Sequence, residues 1–196
     1  VKLIDRELQH DTEFTVRAMI KAGLPIEIII RALGWQTENS YFKEDIIKKI
    51  TAIMPEFKDK AAIIDVSKMA VSSRLLYIRL LDIADSNKYK DEFFALCDDN
   101  SKVIKAELVK VISAHKDWRD DVCKLLAQKK SAKRETALMI IENQGADAYR
   151  TELEKAYATE KSDKLKSKIS ELLGSEAKPA DISDVDLVTS LTKGTK

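Results

Sequence analysis

A phrase that returns about every thirty residues restricts this chain to a narrow set of architectures. Ser101-Lys-Val-Ile-Lys-Ala-Glu-Leu108-Val-Lys-Val111 is echoed by Ser131-Ala-Lys-Arg-Glu-Thr-Ala-Leu138-Met-Ile-Ile141, and again by Ser162-Asp-Lys-Leu-Lys-Ser-Lys-Ile169-Ser-Glu-Leu172. A fainter copy precedes them, with Leu76, Leu80 and Ile83 in the places of Ile104, Leu108 and Val111. Such a period belongs to stacked repeats, where one unit has too little surface to bury its apolar face alone and covers it on its neighbours. Leu108, Leu138 and Ile169 are therefore expected to be equivalent buried positions. A stack of this kind presents surface to a partner and carries no chemistry of its own.

A second register runs between the copies. Tyr89, Phe93, Leu96 and Cys97 match Trp118, Val122, Leu125 and Leu126, and then Tyr149, Leu153, Ala156 and Tyr157. Each set has the i, i+4, i+7, i+8 spacing of a helix with one buried stripe, and each opens on an aromatic. Only five glycines and three prolines interrupt the chain, so an all-α fold is expected. From about Val71 to Leu173 the paired registers resemble HEAT or armadillo-type repeats. The copies are irregular: the proline of the first helix is missing and no Asp-to-Arg ladder is evident. The resemblance implies an α-solenoid, a HEAT-like superhelix of stacked antiparallel helix pairs whose second helices line the concave side.

Three segments are expected: N-terminal helical hairpins over 1–70, HEAT-like repeats over 71–174, and a linker or the start of a further segment over 175–196. In the first, one helix runs through Phe14, Val16, Met19 and Ile20 and stops at Gly23 before Pro25, a common stop and restart signal. A short helix from Ile26 to Leu33 closes at Gly34. A third carries Ile46, Ile47, Ile50 and Ile53, and a fourth Ala62, Ile63, Ile64 and Val66. A short helix is expected over 183–191 in the tail. The opening Val1 in place of Met fits a piece of a larger intracellular protein.

Charge and motifs narrow the function. Thirty-four basic residues against 33 acidic ones leave a net charge of +1, which argues against a protein built to hold nucleic-acid phosphates. No apolar run approaches the roughly eighteen residues that a membrane span needs. Cys97 and Cys123 lack any C-x-x-C partner, and reduced thiols in a cytoplasmic protein are the expectation. There is no G-x-S-x-G, phosphate-binding glycine loop or H-E-x-x-H, so no catalytic, cofactor or metal residue is nominated.

Three sharper readings give way to plainer ones. Ala22 to Thr37 resembles a helix-turn-helix with its turn at Gly34, but Ile30 occupies the small-residue position and Glu38, Glu44 and Asp45 would repel phosphates. Cys97, His115 and Cys123 lack the tight spacing of a zinc site. Trp118 beside Asp120 and Asp121 resembles the aromatic and carboxylate of HEAT-like DNA glycosylases, yet it aligns with Tyr89 and Tyr149 as a packing aromatic. The expected function is a non-enzymatic scaffold for a protein or peptide partner; the alternative is a nucleic-acid-binding stack. Lys90, Glu92, Arg119, Lys124, Arg150 and Lys155, on successive second helices, are the candidate partner-binding residues.

Overall fold

A computed structural model describes residues 12–39, 66 and 68–174. Among them the chain is all-helical, with no strand. The helices expected over Ile46–Ile53 and Ala62–Val66 and in the tail, like Glu44 and Asp45, lie outside the described residues, Val66 excepted. The described residues form two compact units that divide between Gln144 and Gly145.

The first unit opens with α1 (Thr12–Lys21) and α2 (Ile26–Asn39). Gly23 ends α1 with φ 73°, a left-handed conformation that side chains with a Cβ adopt at a cost, as the Gly-then-Pro signal requires. α2 corrects the expectation at Gly34. The helix does not close there but continues to Asn39, and Gly34 has no positive φ. Its role is close approach: a Cβ at this position would lie 2.5 Å from Ser73 Oγ and 2.6 Å from Ser73 Cα. Glycine weakens the helix locally, but it lets α2 lie directly on α3 (Val71–Asp85), the next helix among the described residues. The turn that a helix-turn-helix needs is thus not formed at Gly34.

From Val71 the chain runs in pairs. First helices α3, α5 (Lys102–Ala114) and α7 (Ser131–Gln144) alternate with second helices α4 (Lys90–Ala95) and α6 (Arg119–Leu126). α3 packs on α5 and α5 on α7, so α5 has a neighbour on both flanks. That explains why it buries Val109 and Val111 as well as Ile104, Leu108 and Ile112. Leu108 and Leu138 are both buried, at 0% and 1% exposure. Ile83 departs from its expected place: it is 43% exposed, while α3 buries Ser73, Leu76, Tyr77, Ile78, Leu80 and Leu81, all before it.

In the second unit, α8 (Arg150–Thr159) packs on α9 (Asp163–Leu172). Ile169 is fully buried, as is Leu153. Tyr157 is not part of the buried stripe; it is 39% exposed, with the Lys166 ammonium 5.0 Å from its ring centroid. An exposed ring of this kind is stabilised by the cation over its face instead of by burial.

The aromatic that opens each second helix is buried in all three copies: Tyr89, Trp118 and Tyr149. Each stands at the helix start with φ between −86° and −114° and ψ between 11° and 21°. The shared backbone conformation and shared burial make these three residues structural equivalents. The entries to α5 and α9 are also alike. Asp99 Oδ1 accepts the Ser101 N–H at 2.8 Å, and Glu160 Oε1 accepts the Ser162 N–H at 2.9 Å, satisfying a backbone donor just before each helix.

A polar ladder crosses the first unit between partners 25 to 32 residues apart. Lys105 Nζ lies 3.2 Å from Glu135 Oε2, and Asn143 Nδ2 lies 3.5 Å from Ser113 Oγ near the other end of the same two helices. Both pairs join positions thirty apart, the offset of the repeated phrase, so α5 and α7 run parallel and in register. Arg79 grips Glu107 with two N–H groups at 3.3 and 3.4 Å, from equivalent positions of α3 and α5. Arg74 Nη2 donates to Asp99 Oδ1 at 3.2 Å, while Nε lies 2.8 Å from Oδ2 off the hydrogen-bonding direction, a contact of charge. The sequence carries no regular Asp-to-Arg ladder. Its charges nonetheless link consecutive copies.

Candidate docking groove

Between the second helices α4 and α6 lies an open groove of about 240 Å³. One wall is the flank of α4 carrying Asp91, Phe94 and Ala95, and the other is the flank of α6 carrying Asp121, Lys124 and Leu125, with Gln128 just past its end. Both sets have the i, i+3, i+4 spacing of a single helix face. Lys133, in the first turn of α7, completes the lining.

An aromatic cluster packs beneath the floor. Phe94 approaches the Trp118 ring with centroids 6.0 Å apart, and Phe93 stacks on the same indole at 6.1 Å. His115 stacks on it at 4.0 Å with rings 7° from parallel. Trp118 Nε1 donates to Asn87 Oδ1 at 3.0 Å, so its polar group is satisfied while the ring stays buried. Trp118 is a packing residue here.

The electrostatics centre on Asp121. Lys90 Nζ lies 2.6 Å from Oδ2 and Lys124 Nζ 2.9 Å from Oδ1. Hydrogen bonds from these two ammonium groups hold the Asp121 carboxyl below its ordinary pKa. Asp121 in turn raises Lys124. At the other end, a hydrogen bond from Lys130, 2.5 Å from Oδ2, lowers the Asp98 carboxyl. Burial pushes the Cys97 thiol up to about 12, with the nearby Lys133 ammonium acting in the opposite direction. Cys97 is fully buried, with Sγ donating to Phe93 O at 3.4 Å, and it serves as a small apolar group. Both cysteines are thiols, and among the described residues no group of three His, Cys, Asp or Glu is placed to hold a metal.

The residues nominated from sequence divide among several environments. Lys124 is exposed and lines the groove. Lys90 is half-buried and engaged in a repeat-to-repeat ion pair, so it is a strut and not an open surface charge. Glu92 is half-buried and adds to the rise of the Tyr77 phenol, which burial lifts to about 12. Arg119 is half-buried at the start of α6. Arg150 and Lys155 are exposed on α8, in the second unit, where Arg150 Nε lies 3.4 Å from Glu154 Oε1. Sequence reasoning missed Asp91, Phe94 and Lys133, and weighed Asp121 only as a carboxylate beside Trp118, not as part of a docking surface. The available signal was the helix flank adjoining the buried stripe: Phe94 follows buried Phe93, and Asp121 precedes buried Val122.

Among the described residues no helix is long and apolar enough to cross a membrane. No family model, no curated protein and no solved structure matches this chain.

Proposed function

We propose that this chain is a non-enzymatic helical-repeat scaffold of the HEAT or armadillo type that docks a protein or peptide partner along its second helices. The reading rests on one observation: a groove open to solvent, of mixed charge, with a packed aromatic floor, formed between two consecutive second helices. The in-register pairing of α5 with α7 supports a solenoid, since repeated units that stack by one operation bring equivalent positions together. A small molecule is a poor fit, because a groove this open and of about 240 Å³ would leave much of it in water. A nucleic-acid stack draws less support: Trp118 is buried, and Asp91 and Asp121 place carboxylates where phosphates would pass.

The test is comparative capture from the source cell using the full chain and a variant with Arg119→Glu and Lys124→Glu. The expected result is a protein retained by the parent and lost from the variant, with helical content unchanged by circular dichroism. Equal recovery by both, with the fold intact, would remove this face as the docking surface.

A further inference from the structure

We propose that the groove between α4 and α6 takes a short extended peptide of a partner protein, with one aliphatic side chain on the floor, an acidic residue at Lys133 and a basic residue at Asp91. This assignment rests on the docking reading above and makes it specific. The charges of the groove are not all equally available. Asp121 is engaged by two lysines. Among the described residues, neither Asp91 nor Lys133 makes an ion pair at contact distance. Asp91 stands at the start of α4. Lys133 acts electrostatically on Cys97 and Asp98, beyond the end of α4. Asp91 acts electrostatically on Lys124 in the same way, short of contact. The two charges without a contact partner thus lie toward opposite ends, with Phe94 and Leu125 between them.

The dimensions select an extended chain. From Asp121 to Leu125 the α6 wall rises roughly 6 Å at about 1.5 Å per residue. That length matches the span from the first to the third residue of an extended segment, roughly 6.6 Å at about 3.3 Å per step. The pleat of an extended segment turns the middle side chain toward the floor and leaves the flanking ones at the rim. A Lys-Leu-Glu segment therefore places leucine against Phe94 and lets the two long charged side chains reach Asp91 and Lys133. Such complementarity sets specificity more than affinity, so the isolated peptide binds weakly.

The experiment is a titration of the isotope-labelled full chain with acetylated, amidated Gly-Lys-Leu-Glu-Gly, read by amide chemical shifts. Shifts at Phe94, Ala95, Leu125 and Gln128 are expected at about millimolar peptide. Serine in place of the leucine should weaken binding about tenfold, as loss of a partly buried aliphatic side chain implies. Lys133→Glu should weaken binding by up to about fivefold, the range for a rim ion pair, and a Lys-Leu-Lys peptide should recover it. Asp91→Lys with a Glu-Leu-Glu peptide provides the same test through an exposed residue should the first variant not fold. Absence of groove shifts, indifference to both charge exchanges, or shifts produced by an oligothymidylate and not by the peptide would each overturn the assignment. If the peptide fails while the Arg119 and Lys124 variant still loses its captured protein, the docking reading stands and only the peptide assignment falls.

Discussion

Thr136 shows how one side chain ties two repeats together. It is fully buried on α7, and its hydroxyl lies 2.8 Å from the Cys97 carbonyl, 39 residues earlier in the chain. The Ala132 carbonyl on its own helix is 3.0 Å away, so the hydroxyl chooses between a local and a cross-repeat acceptor. The shorter contact satisfies a carbonyl of the 3-10 turn Leu96–Asp98, which no helix ladder serves. Replacing Thr136 with Val keeps the shape and removes the donor. We expect Thr136→Val to cost about 1–3 kcal/mol in denaturant unfolding, the penalty for a buried polar group deprived of its partner. Thr136→Ser retains the hydroxyl and should lie nearer the parent. Gln144 plays a similar part at the other end of α7. Its Nε2 lies 3.2–3.3 Å from the carbonyls of Ile112, Ser113 and His115, capping the C-terminal end of α5 from the next repeat.

At the scale of elements, Gly34 decides how α2 meets α3. Alanine is a better helix residue by about 1 kcal/mol, so Gly34→Ala would stabilise an isolated helix. Here the added Cβ would meet Ser73 at its side chain and its backbone, with Cα at 2.6 Å and N at 2.8 Å. Overpacking of this kind typically costs about 1–3 kcal/mol, so the net effect of Gly34→Ala is destabilising. Adding Ser73→Gly should not restore stability, because the backbone atoms remain in the way. Thermal unfolding of the single and double variants measures both outcomes, and recovery in the double variant would show that only the Ser73 hydroxyl was in conflict. The second helices are positioned by a different device. Each begins at a buried aromatic that anchors its first residue, and α4 and α6 are further linked by the Lys90–Asp121 pair.

Across the first unit, Asp98 and Asp121 are both held below their ordinary pKa by lysines, Lys130 and Lys90 respectively, that lie 32 and 31 residues away. A carboxyl with a folded pKa below its unfolded value contributes stability fully above the unfolded pKa of about 3.9. That contribution is lost as pH falls through the depressed folded value, because the folded state must then bind the proton it had resisted. Unfolding free energy should therefore decline below about pH 4. Asp98→Asn with Asp121→Asn should lower stability at neutral pH, flatten that acid limb and bring the two proteins together near the acid extreme. High salt should reduce the difference at neutral pH, since the lysine partners are partly or largely exposed. A double variant whose acid limb matched the parent would show that these pairs do not link the repeats energetically.

Helix type, the stop at Gly23 and the burial of Leu108, Leu138 and Ile169 were legible in the sequence, because a 3.6-residue period and a glycine before proline are local signals. Residues such as Phe93 and Trp118 declared themselves by recurring at the same place in each copy. Gly34 misled because its role depends on Ser73, a residue of another helix. Ile83 and Tyr157 misled because a periodic pattern shows which residues share a face and not how much of that face a neighbour covers. The groove was half legible: second helices and Lys124 were nominated, while Asp91, Phe94, Asp121 and Lys133 were not. Their significance arises only when α4, α6 and the start of α7 are brought together, which side-chain packing across about thirty residues of chain determines. Local periodicity thus set which faces were apolar. The tertiary structure alone decided which flanks were left open and which charges found partners, because both depend on the rotation and spacing of helices distant in sequence.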